Sequence, residues 1–292
     1  MNMDVNTKLY GLMGHPVGHS VSPALQNELI RLYGLNAAYL AWDVETEELK
    51  DAVKGGMALG IGGFNVTVPH KKNIIPFLKD IDDAARKLGS VNTLKYTDGG
   101  YTGYNTDLPG LMRAFKYDGV SFEGRNAVLI GAGGAANAAL GAILESGARK
   151  VLIINRTIER AEELKKRFEA YYPDIRMDCV SSRDEAVSLM REETEKWNVL
   201  QATSVGMFPD TEAAAVTEDA FYEMVGYGVD IIYNPEKTLF MKKVEAAGGK
   251  AYNGLKMLLF QGIRSFEIWQ ELKVDDSYTE GLLDIMRGAM KR

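Results

Sequence analysis

The chain has one cysteine, Cys179, and only three histidines, His15, His19 and His70, among its 292 residues. A single thiol excludes an internal disulfide framework and suits a reducing compartment, so a cytoplasmic location is expected. The three imidazoles stand at no recognised ligand spacing, and no metal site is expected. No apolar run approaches the ~18 residues that a membrane helix needs. The first six residues lack the basic start and apolar core of a signal peptide. Positive charge is scarce as well. Against 40 Asp and Glu stand 34 Lys and Arg, leaving a net charge of −6, which argues against general nucleic-acid binding. What is present, 46% apolar and 25% charged residues, is the composition of a soluble globular protein of one large or two ordinary domains. No segment reads as a dedicated association helix, which leaves monomer and homodimer both open.

Strand-like and helix-like segments alternate from the start. Leu9–Met13, Ala38–Val44 and Phe64–Val68 read as strands. Ser22-Pro23 opens a helix, with serine as the expected cap and proline in the first turn; Leu25, Leu29 and Leu32 follow at helical spacing. Thr46-Glu47-Glu48 starts another helix, its acidic residues at the positive dipole end. Asp98-Gly99-Gly100 is the turn between Val91–Tyr96 and Tyr101–Tyr104. Gly119–Asn126 reads as the crossing into a second domain. Beyond it, Ala127–Ile130, Val151–Ile154, Arg176–Val180, Val199–Ala202 and Val229–Ile232 are continuous apolar runs, as parallel strands buried on both faces require. Two helices close the chain, from Gly254 to about Leu272 and from about Ser277 onward.

Gly131-Ala132-Gly133-Gly134-Ala135-Ala136 follows the first of those runs. A strand, a glycine turn and a helix start let the backbone approach a pyrophosphate and aim unpaired N–H groups at it. The end of the next strand usually carries an acidic residue in NAD sites. Here it reads Asn155-Arg156-Thr157, and an arginine there can pair with the 2′-phosphate of NADP. NADP is therefore the expected cofactor, with Thr157 also available to cap the following helix.

Three further segments carry chemistry. Ser20 and Ser22, just before a helix N-terminus, offer two hydroxyl donors to an anion, or Ser22 is simply a cap. Lys71 follows Asn65-Val66-Thr67-Val68-Pro69-His70, at the mouth of a strand, with Lys72 exposed beside it. Asp107, in Asn105-Thr106-Asp107, is a plausible N-cap for the helix bearing Leu108, Leu111, Met112 and Phe115.

The order of these motifs resembles the shikimate dehydrogenase family over nearly the whole chain. The resemblance implies two α/β domains around a cleft. Residues 1–107 with 253–292 would bind substrate, and residues 108–252 would form a Rossmann-type NADP domain. It implies NADP-dependent reversible reduction of 3-dehydroshikimate to shikimate, a step of chorismate and aromatic amino-acid biosynthesis. Lys71 and Asp107 would be catalytic. Ser20 and Ser22 would hold the substrate carboxylate, and Asn65, Thr67, Asn92, Tyr233 and Gln261 would line the same site. Thr203 and Gly254 would join Gly131–Ala135 and Asn155–Thr157 at the cofactor, and His70 would pack behind Lys71. Two residues depart from the family pattern: Gln201 stands where Asn is usual, and Asn253 where Asp is usual.

A lysine is cationic at neutral pH and can protonate the alkoxide formed on reduction. It must lose that charge to act on shikimate, so oxidation is expected to accelerate above neutrality. Which of Lys71 and Asp107 carries the proton is left open. So are a quinate/shikimate dehydrogenase with relaxed NAD/NADP use and a non-catalytic NADP-binding regulator.

Overall fold

In the computed structural model, residues 3–291 are described. They form two compact units: residues up to Gly110 together with those from Leu259 on, and Leu111–Leu258. Among the described residues no helix is long and apolar enough to cross a membrane.

The first unit begins β1 (Lys8–Gly14), α1 (Ser22–Leu32), β2 (Ala37–Asp43), α2 (Leu49–Ala58), β3 (Gly63–Val66), α3 (His70–Asn73), β4 (Asp80–Ile81), α4 (Asp83–Leu88), β5 (Thr93–Thr97) and β6 (Gly100–Tyr104). Its sheet runs β2-β1-β3-β5-β6-β4. β1 pairs parallel with β2 and β3, whereas β3, β5 and β6 pair antiparallel. Met13, Phe64, Val66, Leu94 and Tyr101 point into one apolar core with Leu49 and Val53 of α2.

α5 (Asp107–Asp118) carries the chain into the second unit. There follow β7 (Asn126–Ile130), α6 (Ala136–Glu145), β8 (Lys150–Ile154), α7 (Ile158–Glu169), β9 (Arg176–Val180), α8 (Arg183–Arg191), β10 (Trp197–Gln201), α9 (Asp219–Tyr222), β11 (Val225–Asp230), α10 (Leu239–Ala246) and β12 (Lys250–Tyr252). The order β12-β11-β10-β7-β8-β9 is parallel throughout. That is the doubly wound dinucleotide topology, with its switch point between β7 and β10. Every residue of β7 and β8 is buried, which explains why these strands read as unbroken apolar runs.

α11 (Leu255–Gln270) and α12 (Thr279–Met290) end the chain, and α11 returns it to the first unit. There Trp269 stacks on Tyr10 at 5.0 Å and its Nε1 donates to the Leu94 carbonyl at 2.8 Å.

Several expectations need correction. The passages between units fall inside α5 and α11, at 110/111 and 258/259, rather than in Gly119–Asn126. β3 stops at Val66, two residues early, because the chain turns into α3. Thr46–Glu48 is a single 3₁₀ turn ahead of α2.

Candidate active site

Pairing of β5 with β6 puts Thr93 opposite Tyr104, so the residues just outside that pair, Asn92 and Asn105-Thr106-Asp107, share one end of the hairpin. α3 lies close by, since Val91 N–H donates to the Lys71 carbonyl at 2.8 Å. Lys71 Nζ donates to Asp107 Oδ2 at 2.6 Å, with the two side chains 26% and 11% exposed. This charge-assisted bond keeps a face toward solvent, as a reacting pair must. Lys71 thus sits on a one-turn helix rather than at a strand mouth. Asp107 is the first residue of α5 rather than its cap. The capping is done by Asn105, whose Oδ1 accepts from the N–H groups of Asp107 (3.0 Å) and Leu108 (3.4 Å). The Asp107 carboxylate is thereby left for Lys71 and Asn92.

Behind the pair lies a buried polar network. Asn92 Nδ2 donates to Asp107 Oδ1 at 2.8 Å and to Thr106 Oγ1 at 2.9 Å, while its Oδ1 accepts the Thr106 N–H at 2.7 Å. Ser265 of α11 touches Asn65 Nδ2 and Thr93 Oγ1, both at 2.8 Å, and Thr106 Oγ1 at 3.2 Å. Tyr39 closes the far end, donating to Asn65 Oδ1 at 2.8 Å. Asn65 and Asn92 therefore meet their hydrogen-bonding needs within the protein. Tyr39, Asn105, Thr106 and Ser265 were not among the residues expected from the sequence.

Around this network stand Thr67, half-buried between β3 and α3, and Gln261, whose Oε1 accepts from Asn92 Nδ2 at 3.4 Å. At α1 the cap is Val21, not Ser22. Ser20 Oγ accepts the Ser22 N–H at 3.2 Å. The Ser22 hydroxyl makes no hydrogen bond among the described residues, which leaves it available to a ligand. His70 is fully buried, with Nε2 against the Val44 carbonyl at 2.7 Å, in keeping with a packing role.

In the second unit, Gly131 follows β7 with φ +108°, and a Cβ there would lie 2.7 Å from Thr203 and 2.9 Å from the Ala202 carbonyl. Only glycine lets the loops after β7 and β10 meet so closely. Gly133 and Gly134 are exposed and a Cβ on either would meet nothing, so their backbone is open to a pyrophosphate at the start of α6. Asn155 ties this loop to the end of β8. Its Oδ1 accepts the Ala132 N–H at 3.1 Å and its Nδ2 donates to the Thr157 carbonyl at 2.7 Å. Arg156 is exposed and makes no ion pair among the described residues. Thr157 holds the N-cap position of α7 without a side-chain bond. The glycine loop after β7 and the exposed Arg156 after β8 are thus tied together through Asn155.

The loops after β10 and β11 contain the rest. Gln201 and Asp230 end these strands opposite each other and are both fully buried. Gln201 Oε1 accepts from Thr203 N–H (2.7 Å) and Thr203 Oγ1 (2.5 Å). Its Nε2 donates to the Val205 carbonyl (3.2 Å) and to Asp230 Oδ1 (3.4 Å). Asp230 also accepts from the Ile232 N–H at 3.0 Å and, through Oδ2, from Thr238 at 2.7 Å. Tyr233 follows on that loop, its hydroxyl pushed up by burial. Gly254 is buried against the Ile231 backbone and its N–H donates to the Ile232 carbonyl at 2.9 Å. Asn253 keeps a capping role, its Oδ1 accepting the Leu255 N–H at 3.1 Å.

Burial pushes the Asp230 carboxyl up to about 6, against the hydrogen bonds from Ile232, Thr238 and Gln201. Folded, it keeps its proton in a range where the unfolded chain has lost it. Its contribution to stability is therefore complete below pH 3.8 and lost as pH rises through about 6. Asp230→Asn is expected to remove that fall, on the order of 3 kcal/mol. Urea unfolding of both proteins near pH 4 and near pH 7 measures it, and the same change of unfolding free energy with pH in both would refute it.

A Rossmann-type nucleotide unit joined to a second α/β unit that carries a Lys–Asp pair defines a dehydrogenase-like class of two-domain proteins. Residues 12–94 match the family described as shikimate dehydrogenase substrate binding domain, and residues 114–187 the family described as shikimate / quinate 5-dehydrogenase. A curated shikimate dehydrogenase (NADP(+)) of Caldanaerobacter subterraneus subsp. tengcongensis is 39% identical over 273 residues, covering 92% of this chain and 94% of its own. The crystal structure of shikimate 5-dehydrogenase from Thermus thermophilus, in complex with NADP(H) and shikimate, aligns with TM-score 0.84 at 33% identity, covering 97% of this chain and 100% of its own. That of the Listeria monocytogenes enzyme, in complex with shikimate and NAD, aligns with TM-score 0.88 at 32% identity, covering 97% and 98%. The chain belongs to the shikimate dehydrogenase family.

Proposed function

We propose that this protein catalyses the reversible, NADP-dependent reduction of 3-dehydroshikimate to shikimate, a reaction suited to a cytoplasmic enzyme. The observation that carries this reading is the Lys71–Asp107 pair at 2.6 Å, in the unit matched to the substrate-binding family. Bound NADPH supplies the hydride to the ring carbonyl carbon. Lys71 then gives a proton to the resulting oxygen, and Asp107, held by Asn92, orients the ammonium and accepts from the hydroxyl that forms. Ser20 and Ser22 take the ring carboxylate. Thr67, Gln261 and Tyr233 meet the remaining hydroxyls, while Asn65 and Asn92 do so by exchanging one internal bond each. Gly131–Ala135 and Gly254 border the pyrophosphate and the nicotinamide half. Asn155 and Thr157 shape the pocket edge where Arg156 pairs with the 2′-phosphate.

The test is absorbance of the reduced cofactor with 3-dehydroshikimate, with NADPH and NADH in parallel. NADPH is expected to be oxidised much faster. Arg156→Ala is expected to raise the KM for NADPH roughly ten- to a hundredfold, the worth of one charge-assisted bond, and to leave NADH unaffected. Equal use of both cofactors by the wild type would refute the NADP assignment. No turnover by folded protein with either cofactor would refute the catalytic reading.

A further inference from the structure

Gln201, the last residue of β10, is fully buried, and its side chain is fully engaged in the structure. Its amide has two acceptor and two donor positions, and all four are used. Thr203 takes both acceptor positions, one with its N–H and one with its hydroxyl. Val205 and Asp230 take the donor positions. The orientation of the amide is not reversible: a carbonyl must face the Thr203 N–H and an N–H must face the carboxylate. Asp230 in turn is fixed from the other side by Ile232 and Thr238, and Thr238 caps α10.

This arrangement spends the only proton of the Thr203 hydroxyl on Gln201. One of its lone pairs accepts the Val205 N–H at 3.2 Å. The hydroxyl of the half-buried Thr203 keeps one lone pair uncommitted, an acceptor. A phosphate oxygen, which is itself an acceptor, has no use for it. The topology says which part of a dinucleotide arrives here. The pyrophosphate belongs at the loop after β7 and the 2′-phosphate beside Arg156 after β8, so the opposite half falls beyond the switch point, at β10 and β11. That half carries N–H and O–H donors in its carboxamide and ribose.

We propose that Gln201, braced by Asp230, is a positioning residue that presents Thr203 as a pure acceptor to an N–H or O–H donor on the nicotinamide half of the cofactor. The proposal rests on the NADP reading above and deepens it. Gln201 touches no ligand. It works by setting which way the Thr203 hydroxyl points.

The test compares two probes, NADP+ and 2′,5′-ADP, which carries the 2′-phosphate but no nicotinamide half. Affinities of the intact protein for both are measured by calorimetry for the wild type, Gln201→Leu and Thr203→Val. Gln201→Leu removes the acceptor for the Thr203 hydroxyl, with an apolar side chain one atom shorter. Thr203→Val removes the hydroxyl and leaves Gln201 and Asp230 in place, which keeps the test open if Gln201→Leu does not fold. The expected result is a roughly tenfold loss of NADP+ affinity in each folded variant, with 2′,5′-ADP binding unchanged. The KM for shikimate is expected to be unmoved. Unchanged NADP+ affinity, or an equal loss for both probes, would overturn the proposal. Absence of 3-dehydroshikimate turnover by the wild type would remove the reaction assigned above, yet the probe comparison would still decide the role of Gln201.

Discussion

Lys71→Ala is expected to lower kcat for 3-dehydroshikimate reduction by roughly a thousandfold, within the range that a positioned proton donor supplies, and to change the substrate KM by less than tenfold. The asymmetry follows from the site. Lys71 is held at 2.6 Å by Asp107, whereas carboxylate recognition by Ser20 and Ser22 and hydroxyl recognition around Asn92 do not depend on the ammonium. Its contribution is concentrated where charge develops on the reacting oxygen. Small alkylammonium ions fit the space left by the truncated side chain and should restore part of the rate in proportion to their concentration. In the double variant with Asp107→Asn, the second change should cost little, because two residues that act as a unit lose their effect together. A Lys71→Ala enzyme with wild-type kcat and a raised KM would show the ammonium to be a plain ground-state contact.

The second large effect concerns the fold. Gly254→Ala is expected to destabilise the nucleotide unit by roughly 3 kcal/mol or more and to lower its melting temperature by about 10 °C. A Cβ at this position would sit 1.9 Å from the Ile231 carbonyl oxygen and 2.4 Å from its carbon. Both are backbone atoms at the end of β11, so no side-chain rotation relieves the overlap. The Gly254–Ile232 hydrogen bond and the Asn253 cap of α11 would move with it. Gly133→Ala is the contrasting case. A Cβ there meets nothing, so the melting temperature should hold while NADP+ affinity falls, the added methyl occupying the face offered to the pyrophosphate. Differential scanning calorimetry of the two variants separates the effects. An unchanged Gly254→Ala transition would mean that the β11 loop yields more easily than its packing implies.

Much of the fold could be read from local pattern, because burial leaves a local mark. β7 and β8 are apolar throughout since both faces are covered. The glycine loop declared itself by position, after a strand and before a helix. β4, two residues long, and β12, three residues long, are too short to show a period, and they form only because neighbouring strands offer them an edge. The caps misled for a related reason. Ser22 and Asp107 are both good cap residues, yet Ser20 and Asn105, each two positions earlier, perform the bonding. Composition near a helix start does not say which of two nearby polar side chains turns back. Ser265 gave no signal at all. It is one small polar residue in a helix that also carries Lys256, Arg264 and Glu267, and its partners Asn65 and Thr93 lie 200 and 172 residues away. Its role exists only after the chain has folded back.

That return carries a consequence for synthesis. The unit begun before the nucleotide unit is finished after it, since the hydroxyl of Ser265 and the indole of Trp269 reach it through α11. The nucleotide unit is continuous from Leu111 to Leu258 and can close as soon as its own strands have left the ribosome. Until α11 follows, Asn65 and Thr93 are without their serine and the Leu94 carbonyl without its tryptophan. The polar network behind the Lys–Asp pair is thus completed only after the nucleotide unit, and a nascent chain stalled before α11 would hold a nucleotide unit beside an unfinished network.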